Sequence, residues 1–141
     1  MKRLIFGMAK SKKDAFSKLE SKTPELMDTL IKLYLYPDHE SKLHWRQEVS
    51  SFINMVPKLK GSNAFPRSED IIKNTWKVWS DCLLDWIDPI MEDYGYSDKS
   101  SNKKELYDNC RSYFEWLGKE LSSKGKLSNR SIYEKLESLG F

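Results

Sequence analysis

From Ile72 to Ile90 the apolar residues Ile72, Trp76, Trp79, Leu83, Trp86 and Ile90 recur at alternating spacings of four and three. A helix, advancing about 100° per residue, gathers such positions on one side, whereas a strand with its period of two scatters them over both faces. The same spacing recurs through most of the chain and strand-like alternation is nearly absent, so the expected fold is all-α: a compact single-domain bundle of five or six helices, with the 72–90 segment as its spine. A heptad-like seam of this kind suits side-by-side packing at a shallow angle. Pro89 interrupts it, because a proline lacks the N–H that an interior helical position donates. Either the helix kinks near Asp85, or Asp88 caps a new turn with Pro89 at its first position.

The remaining elements follow from caps and stripes. A short helix is expected over Lys12 to Ser21, with Ala15, Phe16 and Leu19 inward. Thr23 with Pro24 reads as a helix start, since the threonine hydroxyl can accept from free backbone N–H groups and the proline needs no partner there. Leu26, Met27, Leu30, Ile31 and Tyr34 would form its buried face, and Pro37 would end it. From Ser41 to Met55, Trp45, Val49, Phe52, Ile53 and Val56 make another inward stripe, and Pro57, Gly61, Asn63 and Pro66 mark the longest loop. Ser68, followed by Glu69 and Asp70, opens the spine, acidic groups favouring the positive end of a helix. Asn102 and Glu105 match a capping box for a helix running to about Ser122, with Leu106, Cys110, Tyr113, Phe114, Leu117 and Leu121 inside. A final helix from Ser128 to Leu139 stops at Gly140, and Phe141 is expected to fold back on Leu136.

A chain of 141 residues suits one domain spanning residues 1–141, able to bury a core without cross-links, with residues 1–10 a loose basic arm. The longest apolar run, Leu4 to Phe6, is far short of the ~20 residues of a membrane span and of a signal-peptide core, which points to a cytoplasmic protein with no membrane partner. Cys82 and Cys110 sit inside helical patterns without metal or redox spacing and read as small buried hydrophobes. His39 and His44 lie five apart, on different helix faces; His44 and Glu48 share a face, but two ligands do not make a metal site. No glycine-rich phosphate loop or nucleophile-base pair is present, so neither cofactor nor catalysis is expected. Trp76, Trp79 and Trp86 share their side with Ile72, Leu83 and Ile90, which favours core packing over a ligand cage.

Charge distribution says more than the net +3. Residues 1–22 carry seven Lys and Arg against Asp14 and Glu20, a net +5, while residues 69–96 carry seven acids against Lys73 and Lys77, a net −5. Within that acidic stretch Asp81, Asp85, Asp88 and Glu92, on an α-helix, would form one narrow stripe opposite the apolar seam. Like charges at i, i+4 cost a few tenths of a kcal/mol per pair, so the row carries a small self-repulsion that mixed signs would remove. A solvated helix face explains it most simply, and the basic arm lying across it explains it internally. The functional expectation is a non-enzymatic module that docks a basic protein partner through this stripe, an immunity or antitoxin type of protein covering a toxin. A nucleic-acid-binding regulator is the alternative, through Lys2, Arg3, Lys10, Lys12 and Lys13 and a helix-turn-helix-like C-terminus. It is the weaker reading, because the last helix spends Ile132, Tyr133, Leu136 and Leu139 on packing and keeps Glu134 and Glu137 near any groove-facing side.

Overall fold

A helix whose apolar residues cover more than half of its circumference must be packed by the rest of the protein over most of its surface. The segment ending TLIKLYLY meets that condition, its polar residues Glu25, Asp28 and Lys32 sharing one side and most of the rest being buried. The computed structural model describes residues 21–60 and 68–141, and within them every regular element is helical. Residues 21–35 form α1, followed by α2 (Lys42–Lys60) and α3 (Ser68–Trp79). A 3-10 segment (Ser80–Trp86), α4 (Ile87–Tyr94) and a 3-10 turn (Asp98–Ser101) come next, then α5 (Lys103–Lys124) and α6 (Asn129–Ser138). The architecture is the expected all-α bundle. The arm of residues 1–10 and the helix expected over Lys12 to Ser21 lie outside the described residues, apart from Ser21, as does the loop 61–67.

In α1 not only the expected Leu26, Met27, Leu30, Ile31 and Tyr34 but also Leu33 and Leu35 are buried, so this helix and not the 72–90 segment is the spine. Thr23 is not its cap: Ser21 and Lys22 are already helical, and Thr23 is itself fully buried. The Thr-Pro pair marks a place where a proline is tolerated, and helical backbone extends upstream of it. At the other end the helix stops before Pro37 as expected. The loop after α2 starts later than Pro57 suggests, since the helix continues through the proline to Lys60. The buried stripe of Trp45, Val49, Phe52 and Ile53, with Met55 packed against the core, holds α2 despite the one backbone bond that Pro57 cannot make.

The 72–90 segment is not one helix. Pro89 cannot donate to the carbonyl of Asp85, and its ring crowds that carbonyl, so the chain tightens into 3-10 geometry ahead of it. Neither alternative for Pro89 holds as expected: a new helix, α4, does begin here, but at Ile87, so that Pro89 is third and not first. Asp88 is not a cap: Trp86 precedes α4, with no side-chain cap, and Pro89 is its third residue, where no N–H partner is required. The change of period also redistributes the seam. Ile72, Leu83, Ile87 and Ile90 are buried, while Trp76, Trp79 and Trp86 are half-buried against the core. Trp76 packs on Tyr107 and Phe114 at 5.2 and 5.4 Å between ring centroids, joining α3 to α5, its main neighbour.

The inner face of α5 is as expected, with Leu106, Cys110, Tyr113, Phe114, Leu117 and Leu121 all buried. Asn102 does precede this helix, and its carbonyl accepts from Leu106 N–H at 3.0 Å, but its side chain forms no cap. Asn102 and Glu105 instead lie close to the Tyr34 phenol. Burial, with Glu105 adding to it, pushes that phenol above its ordinary pKa. Ser128 caps α6 by accepting from Ser131 N–H at 3.1 Å. At the other end Gly140, at φ +83°, lets Phe141 N–H reach the Leu136 carbonyl at 2.8 Å and Gly140 N–H reach Glu137 at 3.1 Å, a Schellman closure. Phe141 thus enters the core, edge-on to Tyr34 and Tyr113 at 6.3 and 6.2 Å. Its carbonyl accepts from the Arg46 guanidinium at 3.0 Å.

Candidate protein-binding face

All four expected docking residues, Asp81, Asp85, Asp88 and Glu92, are exposed, and so is Asp93. The local fold arranges them differently from a continuous α-helix. A 3-10 turn advances about 120° per residue, which rotates Asp81 by roughly a third of a turn away from Asp85. Asp85, Asp88 and Glu92, on the last 3-10 turn and the α-helix beyond, stay within about 40° of one another. They face away from the side on which Leu83, Ile87 and Ile90 are buried. The coherent face is therefore Asp85, Asp88 and Glu92, flanked by Asp81. Sequence periodicity alone could not show the split, because it presumes one period throughout.

These carboxylates lack counter-ions, as do Asp38, Glu40, Asp98, Glu105, Asp108 and Glu137 among the described residues; what distinguishes them is that they lie together. Six other acids are paired locally. Lys32 meets Asp28 at 2.7 Å, Lys124 meets Glu120 at 2.7 Å and Arg130 meets Glu134 at 2.9 Å. Glu25, Glu48 and Glu115 pair with Lys22, His44 and Arg111 in the same i, i+3 or i, i+4 manner. Among the described residues none of Asp81, Asp85, Asp88, Glu92 or Asp93 has a cation within 4.0 Å. Each pair is worth only a few tenths of a kcal/mol at a solvated surface, so the contrast bears on the field presented to a partner, not on stability.

Beside this face the chain builds an aromatic corner that sequence reading missed. The connector after Tyr94 is pinned to the end of α1: Ser97 donates to the Leu35 carbonyl at 2.7 Å, and Tyr36 donates to the Gly95 carbonyl. Those bonds bring Tyr36 and Tyr94 together at 5.8 Å, with His39 stacked on Trp45 at 4.7 Å next to them. His39 Nδ1 accepts from Ser41 N–H at 3.0 Å. Lys32 lies over the Tyr94 ring, 5.0 Å from its centroid. Burial pulls the Lys32 ammonium down, but the Asp28 carboxylate, with help from Tyr94, outweighs it and holds the lysine above its ordinary pKa.

Features expected to be inert are structural. Cys110 is fully buried, and that burial pushes its thiol up, away from the reactive thiolate form. The half-buried Cys82 points its sulfur at the Trp79 carbonyl, 3.3 Å away. His44 and Glu48 form an exposed pair at 3.0 Å, and among the described residues no three His, Cys, Asp or Glu side chains converge as a metal site. No described helix is long and apolar enough to cross a membrane. On α6 the exposed Arg130 pairs with Glu134 at 2.9 Å. Comparison with protein-family models, curated proteins and solved structures finds no match.

Proposed function

We propose that the chain is a non-enzymatic protein-binding module that docks a partner with a basic surface, in the manner of an immunity or antitoxin protein covering a cognate toxin. The observation that carries this reading is the clustering of exposed carboxylates without counter-ions on one helical edge. Unpaired like charges repel one another and add nothing to the fold; a facing positive surface removes the repulsion and gains from steering. Asp85, Asp88 and Glu92 form the centre of the face and Asp81 its flank. Asp81, Asp85, Asp88 and Glu92 are exposed, whereas acid–base chemistry uses burial to shift pKa values.

The test is kinetic. Asp85→Asn, Asp88→Asn and Glu92→Gln together leave the apolar residues untouched and are expected to change stability by less than ~0.5 kcal/mol each. A partner captured by the parent protein at low salt should, once purified, associate with the triple variant on the order of tenfold more slowly. Raising the salt should slow the parent towards the same rate. An unchanged association rate at low salt would reduce the stripe to a solvated helix face.

A further inference from the structure

Between α1 and α4, directly beside the acidic face, lies an open cleft of ≈ 560 Å³ bordered by Asp28, Lys32, Trp86, Pro89, Asp93 and Tyr94. We propose that this cleft is the anchor pocket of the docking face and receives an arginine side chain from the basic partner; the proposal rests on the docking reading above and specifies its chemistry.

Three features of the cleft select that side chain. First, a cation already occupies part of the site: Lys32 sits over Tyr94 with its ammonium 2.7 Å from Asp28, so Asp28 is satisfied from within. Second, Asp93 at the mouth is exposed and has no cation within 4.0 Å among the described residues, and Asp88 and Glu92 stand beside it on the same helix. The charge left open is negative, and an incoming side chain must be positive to use it. Third, the half-buried Trp86 and Pro89 supply apolar surface to an otherwise polar wall. A planar guanidinium can stack on an indole while its N–H fork addresses a carboxylate, and its methylene stem covers a proline. An ammonium on a flexible stem is a strongly hydrated point charge, and Lys32 already fills that position. The volume lies within the ~300–1,000 Å³ typical of ligand pockets.

The 141-residue chain, labelled with nitrogen-15, would be titrated at low salt with three capped tetrapeptides: tetra-arginine, tetra-lysine and tetra-citrulline. Tetra-arginine should shift the Trp86 indole N–H saturably and bind at least several-fold more tightly than tetra-lysine, while the uncharged citrulline isostere should leave it unmoved. Asp93→Asn, an exposed change that spares the core, should weaken tetra-arginine binding by several-fold. Equal binding of arginine and lysine peptides, with shifts confined to Asp85, Asp88 and Glu92, would overturn the pocket and leave the docking face standing. No shift with either cationic peptide would overturn both. A change at the Trp86 indole on Arg3→Gln without any peptide would make the occupant this chain's own basic segment and overturn the assignment to a partner.

Discussion

Phe141→Ala is the most informative single test of how the bundle is closed. The ring is 2% exposed and meets Tyr34 and Tyr113 edge-on, so α1, α5 and the turn after α6 all converge on it. Truncating a buried phenylalanine costs ~3–5 kcal/mol, combining lost transfer energy with the cavity left behind. The upper half of that range is expected, because the neighbouring rings are anchored on two different helices and cannot both collapse into the space. The backbone closure through Gly140 and the Arg46 bond to the Phe141 carbonyl do not involve the ring and should survive. Against a total stability of ~5–15 kcal/mol, the loss should lower the melting midpoint by roughly 10–20 °C. Denaturant unfolding followed by circular dichroism gives the energy, and an unchanged m-value shows that the unfolded reference has not moved. Phe141→Leu should recover about half of the loss. A cost below ~1 kcal/mol at constant m would mean that the C-terminal turn is not part of the cooperative core, and the assignment of Phe141 as a keystone would be wrong.

Further outcomes follow from other contacts. Ser97→Ala should cost ~1–3 kcal/mol in equilibrium unfolding, because it leaves the buried Leu35 carbonyl at the end of α1 without its 2.7 Å partner. Trp79→Ala and Trp86→Ala, whose rings lie 6.1 Å apart and are only half-buried, should each cost ~1.5–3 kcal/mol, less than a fully buried tryptophan, and their double variant should be non-additive. Burial raises the Cys110 and Tyr113 pKa values, so the folded state keeps protons that the unfolded chain releases. Their contribution is complete below the unfolded values, near 8.5 and 10, and stability should fall at higher pH by about 1.4 kcal/mol per pH unit for each group. Tyr113→Phe should remove the tyrosine's share of that alkaline slope. At neutral pH the substitution should be neutral or stabilising, since the buried hydroxyl has no hydrogen-bond partner among the described residues. A steeper slope in the variant would refute the assignment.

The helical class, the inner face of α5, the Ser128 cap and the return of Phe141 through Gly140 were legible in the sequence because each depends on residues within one or two turns of one another. Local period, a capping hydroxyl and a glycine at positive φ are properties of a short stretch of chain and need no knowledge of what packs against it. The acidic row was legible as a group of exposed residues for the same reason, yet its division into Asp85, Asp88 and Glu92 on one side and Asp81 on the other was not. That depends on where the strain from Pro89 is absorbed. A proline forbids one backbone bond but does not say whether the chain bends, starts a new helix or tightens into 3-10 turns, and the packing of Leu83 and Ile87 decides among them. Pro57 makes the same point in reverse, because a well-buried stripe carries α2 past a residue that would end an isolated helix. The choice of spine was tertiary as well. Trp76, Trp79 and Trp86 are the largest apolar groups, but the centre of the bundle went to α1, whose buried residues cover more than half of its circumference and leave only the side of Glu25, Asp28 and Lys32 towards solvent. The cleft beside the acidic face arises from residues nearly sixty positions apart, joined by the bonds of Tyr36 to Gly95 and of Leu35 to Ser97. No local pattern encodes such a meeting, because it exists only once the helix ends have been brought together and their free carbonyls must find donors.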